Sequence, residues 1–373
     1  MNTTYKPIFR TTVFFLLVGV LMSYKLWLSD RNFPLLPLLE FTSVSATTGY
    51  VLFGIWLFLL VVSLFIYRRI LVIGIVLLLF FMAMQDQVRW QPWVYHYFMF
   101  LIPFCFRKKE TALEYFQLIL IGIYFWGGIN KLTPYFINEV FPFFLKGLTS
   151  IELTSFKEIG YIVPVTEIGV ALALLFKKLQ EWAIYVAFFT HLLIILFLSP
   201  LGSNINGIVI PWNLAMMLML YQCFPKSGPK IMLSRFWKQS AFKVKPLLIL
   251  FFLCMPVLGF WGKWDYYLSF NLYAGKGPIY QIMIAANATD RLPYDLENVY
   301  IAIPDMDDSK ILDIYTWSVS ELKVPCPPEK RLFTAMAKQL CKAGIANEDL
   351  IYMEFKRPMT QGAYATYTCS EVR

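Results

Sequence analysis

The chain predicts an all-α polytopic membrane domain of about nine transmembrane helices, followed by a small C-terminal α+β extracytoplasmic domain. Three observations carry that fold class. Of 373 residues, 58% are hydrophobic and only 15% charged, against about 25% charged in soluble domains. The apolar residues gather into runs close to the ~20 residues that a membrane helix requires. After Trp261 the composition changes: Asp, Glu and Pro return and no run long enough to span follows. The expected division is a membrane domain over 1–262 and an outer domain over 263–373.

Nine apolar runs are expected as membrane helices: 12–28, 50–67, 70–85, 91–106, 113–132, 160–176, 182–199, 206–224 and 246–262. The first follows Lys6 and Arg10 as a signal peptide would, but it lacks a small-residue cleavage site, so it is expected as a retained helix. With the N-terminus inside, 15 lysines and arginines fall on the inner side, six of them in the 225–245 loop. Within 1–262 the outer helix ends and loops hold only Lys25, Arg31, Arg89, Lys131, Lys146 and Lys157. That asymmetry predicts a cytoplasmic N-terminus and, after nine crossings, an outer C-terminus. The net charge of +9 therefore sets orientation in a lipid bilayer and does not imply nucleic acid. The partners expected are the bilayer and a membrane or extracytoplasmic protein.

In the tail, "ENVYIAI" (297–303) and "DLIYMEF" (349–355) alternate as half-buried strands do. "PPEKRLFTAMAKQLCKAG" (327–344) predicts a helix that begins after two prolines and stops at Gly344. Cys326 and Cys341 flank that helix, which holds them roughly 20 Å apart at 1.5 Å per residue, beyond the reach of a disulfide. A hairpin of 349–357 with 363–369 returns Cys369 toward the helix C-terminus. The expected disulfide is Cys341–Cys369, permitted by an oxidising outer compartment. The spacings show no zinc pattern, and no metal site is expected.

Ionisable groups inside membrane helices are costly, and each is a functional hypothesis. The topology puts Asp86, His96, Lys131, Glu167 and Asn206 at similar depth toward the outer side, with His191 nearer mid-helix. One outward-opening polar cavity would gather them. Each also has a plainer reading. Lys131, which closes "FWGGINKL" (125–132), serves as an interfacial anchor just as well, and Glu167 as its structural partner. His96, between Tyr95 and Tyr97, suits an aromatic belt, and His191 suits a hydrogen bond to a neighbouring helix. Gly127 and Gly128 suit close helix contact.

Three stretches occur in a telling order: "QPWVYHYFMFLIPF" (91–104), "YFWGGINKLTPYFI" (124–137) and "FFTHLLIILFLSPLGSNINGIVIPWNLAMM" (188–217). Together they resemble the membrane domain shared by vitamin K-dependent gamma-carboxylase and its bacterial relatives, the horizontally transferred transmembrane domain family, over roughly 10–260. A second resemblance, in overall style, is to the DoxX/MauE group of redox-associated membrane proteins. The carboxylase resemblance puts the family's histidine on His96, its lysine on Lys131, and a second histidine with its following "iG-fpw"-like stretch on His191 and 207–212. It implies a vitamin K-like quinol as cofactor and a lysine that deprotonates it from the outer side. Lys131, His96 and Glu167 are then the catalytic candidates, and His191, Asn206 and Trp126 the cofactor-binding ones. A bacterial relative would lie in the inner membrane with a periplasmic tail. The chain departs from the family at Tyr95, where an asparagine is usual, and in its much smaller tail, so carboxylation of glutamate is not expected of it.

Two functions from different classes follow. One is a carboxylase-like enzyme that binds a lipid-soluble quinol and uses Lys131 as base. The other is a non-catalytic membrane subunit that anchors its outer domain within a secretion, envelope or redox complex.

Overall fold

The apolar runs form helices even where glycine stands inside them, as Gly122, Gly127 and Gly128 do in 112–131. A computed structural model describes residues 5–39, 44–106, 111–150, 152, 155–225, 238, 244–275, 278–296, 299–302, 309–355 and 365–372. Among the described residues the helices longer than one turn are, in chain order, α1 Tyr5–Met22, α2 Ala46–Phe65, α3 Arg69–Met84, α4 Pro92–Leu101, α5 Ala112–Lys131, α6 Phe141–Thr149, α7 Ile162–Leu174, α8 Gln180–Leu198, α9 Val209–Cys223, α10 Val244–Leu253, α11 Ile314–Leu322 and α12 Lys330–Lys342.

Each of the nine expected runs overlaps a helix, but among the described residues four helices (α1, α2, α5 and α8) are long and apolar enough to cross a membrane. The segments 69–84, 209–223 and 245–261 are shorter apolar helices. Helix α1 starts at Tyr5, seven residues before its expected apolar run. Lysine and arginine are good helix formers, so Lys6 and Arg10 extend the helix while lying outside the hydropathy window. Helix α4 gives way to 3₁₀ turns over Ile102–Cys105 and α10 to Met255–Trp261. Pro103 and Pro256 stand there, and each removes a backbone donor. The stretch 133–159, expected as an outer loop, contains a π-helical turn, Phe136–Val140, that runs into α6.

The chain forms two compact units: Met1–Met22, Leu52–Phe80 and Gln91–Lys276, and separately Ser23–Val51, Phe81–Trp90 and Gly277–Arg373. The expected boundary at 262/263 and these units do not coincide. Residues 263–276 group with the first unit, and the segments 23–51 and 81–90 group with the tail. The hydrogen bonds give the reason, because 263–275 run back over α5. Asn130 donates to the Ser269 carbonyl at 2.7 Å and Thr133 to that of Ala274 at 3.2 Å.

Helix α5 is the axis of the first unit and is buried along nearly its whole length. Gly128 lets α7 approach it: a Cβ there would stand 2.8 Å from both Ile168 Cγ1 and the Pro164 carbonyl. On another side, Trp126 donates its indole N–H to Leu253 of α10 at 2.9 Å. Helix α9 is tied to α1 by Gln222 donating to Thr11 at 2.9 Å. Phe58, Phe65, Ile70, Trp182 and Phe189 are exposed, an outward apolar surface compatible with a lipid bilayer.

The second unit is built on five antiparallel strands: β1 Ile279–Ala285, β2 Tyr300–Ala302, β3 Ser309–Leu312, β4 Leu350–Phe355 and β5 Ala365–Thr368, in the order β2-β3-β1-β4-β5. The expected strand 349–355 is β4, and the 297–303 stretch contributes β2. The central strand β1 and helix α11 have no forecast. Strand β1 reads "IYQIMIA", a largely apolar run whose buried residues, Ile282 and Ile284, share one face. The expected hairpin is β4–β5, with Ile351 opposite Thr368. It brings Cys369 to the end of α12, and the Cys341–Cys369 disulfide is present with a Cα–Cα distance of 5.7 Å. Cys326 is free.

Segments 23–39 and 85–90 belong to this unit through polar bonds. Glu321 accepts from the backbone N–H of Asn32 at 2.6 Å and of Phe33 at 2.7 Å. Arg331 donates to Gln87 at 2.8 Å. At their centre the fully buried Asp86 carboxylate meets Arg31 in an ion pair and accepts from the Val88 N–H at 3.1 Å. The Arg89 guanidinium, 3.9 Å from Asp86, donates to the carbonyls of Leu26 at 2.9 Å and Met82 at 2.8 Å.

Removing one member of a buried ionic group leaves the others uncompensated. Asp86→Asn is therefore expected to destabilise the second unit by about 3–5 kcal/mol. The effect is measurable as a lower melting temperature in detergent. An unchanged melting temperature would mean that Arg31 and Arg89 do not depend on Asp86.

Candidate functional site

A cavity of about 420 Å³ lies in the first unit between α5, α7, α8 and α9. Helical periodicity selects the residues that reach it. From α5 these include Tyr124, Gly127 and Lys131, spaced i, i+3, i+7. From α9 they are Val209, Trp212, Asn213 and Met216, spaced i, i+3, i+4, i+7. Both sets obey the one-face rule for a 3.6-residue period. Phe136, Phe141 and Phe144 close it from the segment expected as a loop, and Phe270 and Tyr273 from the segment that follows α10.

The lining is mostly apolar; besides Thr166, Thr190 and Tyr273, its polar residues form two groupings. In the first, Lys131 Nζ lies 2.7 Å from Glu167 Oε2 and 2.9 Å from Oε1, and donates to the Gly127 carbonyl at 3.2 Å. Their side chains are 12% and 8% exposed, so this pair is set into the protein wall and is not a surface ion pair. Gly127 leaves room beside it, because a Cβ there would lie 3.5 Å from Glu167 Oε2 and 3.8 Å from Lys131 Nζ.

In the second, Tyr124 of α5, His191 of α8 and Asn213 of α9 join in one hydrogen-bond chain. The Tyr124 hydroxyl bonds His191 Nε2. His191 Nδ1 lies 2.5 Å from Asn213 Oδ1, and Asn213 Nδ2 donates to the Val209 carbonyl at 2.7 Å.

The structure therefore brings Lys131, Glu167 and His191 to one cavity. His96 lies behind the wall: it is fully buried and accepts the indole N–H of Trp212 on Nδ1 at 3.1 Å. Its Nε2 has no partner among the described residues. Asn206 is also one step removed, donating at 2.8 Å to the hydroxyl of Tyr273, which does line the cavity. Trp126 turns away toward α10. It is one residue from Gly127 and two from Tyr124, which places it off the cavity face of α5. Asp86 belongs to the second unit.

Tyr124 and Asn213 are the members of the second grouping with no sequence forecast. A signal existed for each. Tyr124 sits seven residues before Lys131, on the same face, and Asn213 is an amide inside an apolar run, where an unsatisfied polar group is costly.

No family model matches the chain, and neither does any curated protein or solved structure.

The ion pair generates a coupled prediction. Glu167→Leu alone leaves the Lys131 ammonium without its counter-charge and is expected to cost about 3–5 kcal/mol, most of which a second change, Lys131→Met, recovers. A double-mutant cycle on thermal stability measures the coupling. Additive losses would show that the two groups act independently.

Proposed function

We propose that this chain is an integral membrane carboxylase-like protein that binds a lipid-soluble quinol in the first-unit cavity, with Lys131 as base. The observation that supports this reading is a lysine set into the wall of an apolar cavity and held by a carboxylate. The cavity lies within the range of small-molecule sites, about 300–1,000 Å³. Its composition, aromatic and aliphatic with few convergent polar groups, suits a ring that carries hydroxyls and a hydrocarbon tail. A bound quinol supplies two reducing electrons and a weakly acidic hydroxyl. Lys131, Tyr124 and His191 would hold its polar atoms, and Phe136, Phe141 and Phe144 would exclude water. A base must be unprotonated. Transfer of one proton from Lys131 Nζ to a Glu167 oxygen leaves a neutral amine beside a neutral acid, the form in which the amine accepts a proton from a hydroxyl.

The membrane placement belongs to the same proposal. Nine crossings, with the N-terminus and 225–245 cytoplasmic and 263–373 periplasmic, suit a bacterial inner membrane protein, supported by the distribution of basic residues.

One observation favours a second reading, in which the chain is a non-catalytic subunit that anchors its outer unit within an envelope, secretion or redox complex. An ammonium has three donors, and Lys131 directs them at both Glu167 oxygens and the Gly127 carbonyl. That is also how a purely structural staple is satisfied.

Lys131→Arg separates the readings. Arginine keeps the pairing but does not deprotonate in proteins. A lost general base is expected to lower turnover of a short-chain naphthoquinol by about 10²–10⁴-fold at normal abundance and insertion. Turnover equal to wild type, or none by the wild-type protein, would end the base reading.

Topology is checked by Lys310→Cys in a background that retains only the Cys341–Cys369 pair. An impermeant thiol reagent is expected to label position 310 in intact cells. Labelling only after lysis would sink the nine-crossing arrangement.

A further inference from the structure

We infer that Tyr124 is a second proton-exchanging residue of the cavity, with His191 as its base and Asn213 as the positioning residue that holds His191 in the form a base needs. This rests on the quinol reading and extends it: the ligand class is one with two acidic hydroxyls, of which Lys131 serves one and Tyr124 the other.

The direction of the hydrogen-bond chain follows from its far end. A backbone carbonyl only accepts, so the group of Asn213 that meets Val209 at 2.7 Å is its NH₂. Its oxygen therefore faces His191 Nδ1 at 2.5 Å, and an amide oxygen also only accepts. Nδ1 thus carries the ring proton, Nε2 of the neutral imidazole is bare, and Nε2 accepts the Tyr124 hydroxyl. The order of partners leaves one sense of flow, from Tyr124 to His191.

His96 is held the other way. An indole N–H only donates, so Nδ1 of His96, which meets Trp212 at 3.1 Å, is bare and Nε2 is protonated. The two histidines of the chain are therefore held in opposite tautomers. Only His191 turns a basic nitrogen to a hydroxyl that lines the cavity. On the same α5 face, two turns from Tyr124, stands Lys131, with the side-chain-free Gly127 between them. The titratable groups that line the cavity are Tyr124, Lys131, Glu167, His191 and Tyr273, and His96 stands behind Trp212.

The step moves protons only. The ligand O–H bond breaks and its proton joins the Tyr124 oxygen as the phenolic proton passes to His191 Nε2. One anionic ligand oxygen and one imidazolium result, the latter keeping its Nδ1–H bond to Asn213. Nothing is oxidised or reduced.

The test uses the full chain in phospholipid nanodiscs. With ¹⁵N-labelled histidine, two rings are observed, and His96→Gln assigns them. The expected result is a neutral His191 protonated at Nδ1 and a neutral His96 protonated at Nε2. Asn213→Leu is expected to scramble the first tautomer and leave the second, which also reports that the variant is folded. A short-chain 1,4-naphthoquinol, kept free of oxygen, is then titrated by absorbance. Wild type is expected to bind it and ionise it at lower pH than empty nanodiscs do. Read at saturating probe, Tyr124→Phe is expected to lose at least about tenfold in the ionisation equilibrium, one pH unit. Two results would overturn the inference and leave Lys131's part standing: a His191 protonated at Nε2, or a bound probe that ionises equally in Tyr124→Phe and wild type. Failure of the wild-type protein to bind the probe would overturn this inference and the quinol reading together.

Discussion

The approach of α5 to α7 at Gly128 is the constraint on which the cavity depends. With no side chain at that position, Pro164 and Ile168 lie against the α5 backbone. That closeness lets Glu167 reach Lys131 with both carboxylate oxygens. A methyl group inserted there forces the helices apart, and overpacking of this kind costs about 1–3 kcal/mol. The larger consequence is electrostatic. A charge in an apolar wall is tolerable only when its partner is in place, so the helix contact and the ion pair stand or fall together. Gly127, the other glycine of the same motif, works differently: it faces the cavity and leaves space beside the pair.

The second unit solves the same desolvation problem with the opposite outcome. Asp86, Arg31 and Arg89 are buried completely, and their remaining donors are used by backbone carbonyls of the segments they join. The group serves to fold 23–39 and 85–90 with the α+β tail. In the first unit the pair lines a cavity, so the same class of interaction is accessible to chemistry. Both begin, in sequence, as an ionisable residue at the end of an apolar run.

Histidine illustrates how partners divide two similar residues. His96 and His191 both sit in apolar helices, and both were candidates for the same site. Trp212, whose indole lines the cavity and donates backward, screens His96 from it, whereas His191 meets Tyr124 and Asn213 at the cavity wall. Their place in apolar helices carries no information about which ring nitrogen is bare. That is settled by a carbonyl on α9 and an indole one residue before Asn213.

The sequence by itself determined the membrane-like helical character, the existence and approximate place of the principal helices, the α+β nature of the tail and its Cys341–Cys369 disulfide. Those features depend on local composition, on periodicity and on lengths of helix and hairpin, all of which are readable along the chain. It also contained the Tyr124–Gly127–Lys131 stripe, because seven residues on a helix return to one face. Tertiary structure alone decided that Phe136–Thr149 and 263–275 close the cavity, that Trp126 turns to α10, and that 23–51 and 81–90 group with the tail. It also decided which ionisable groups meet. These depend on contacts between residues far apart in sequence, where side-chain direction and the hydrogen-bonding capacity of a neighbouring helix determine the outcome and no local pattern records it.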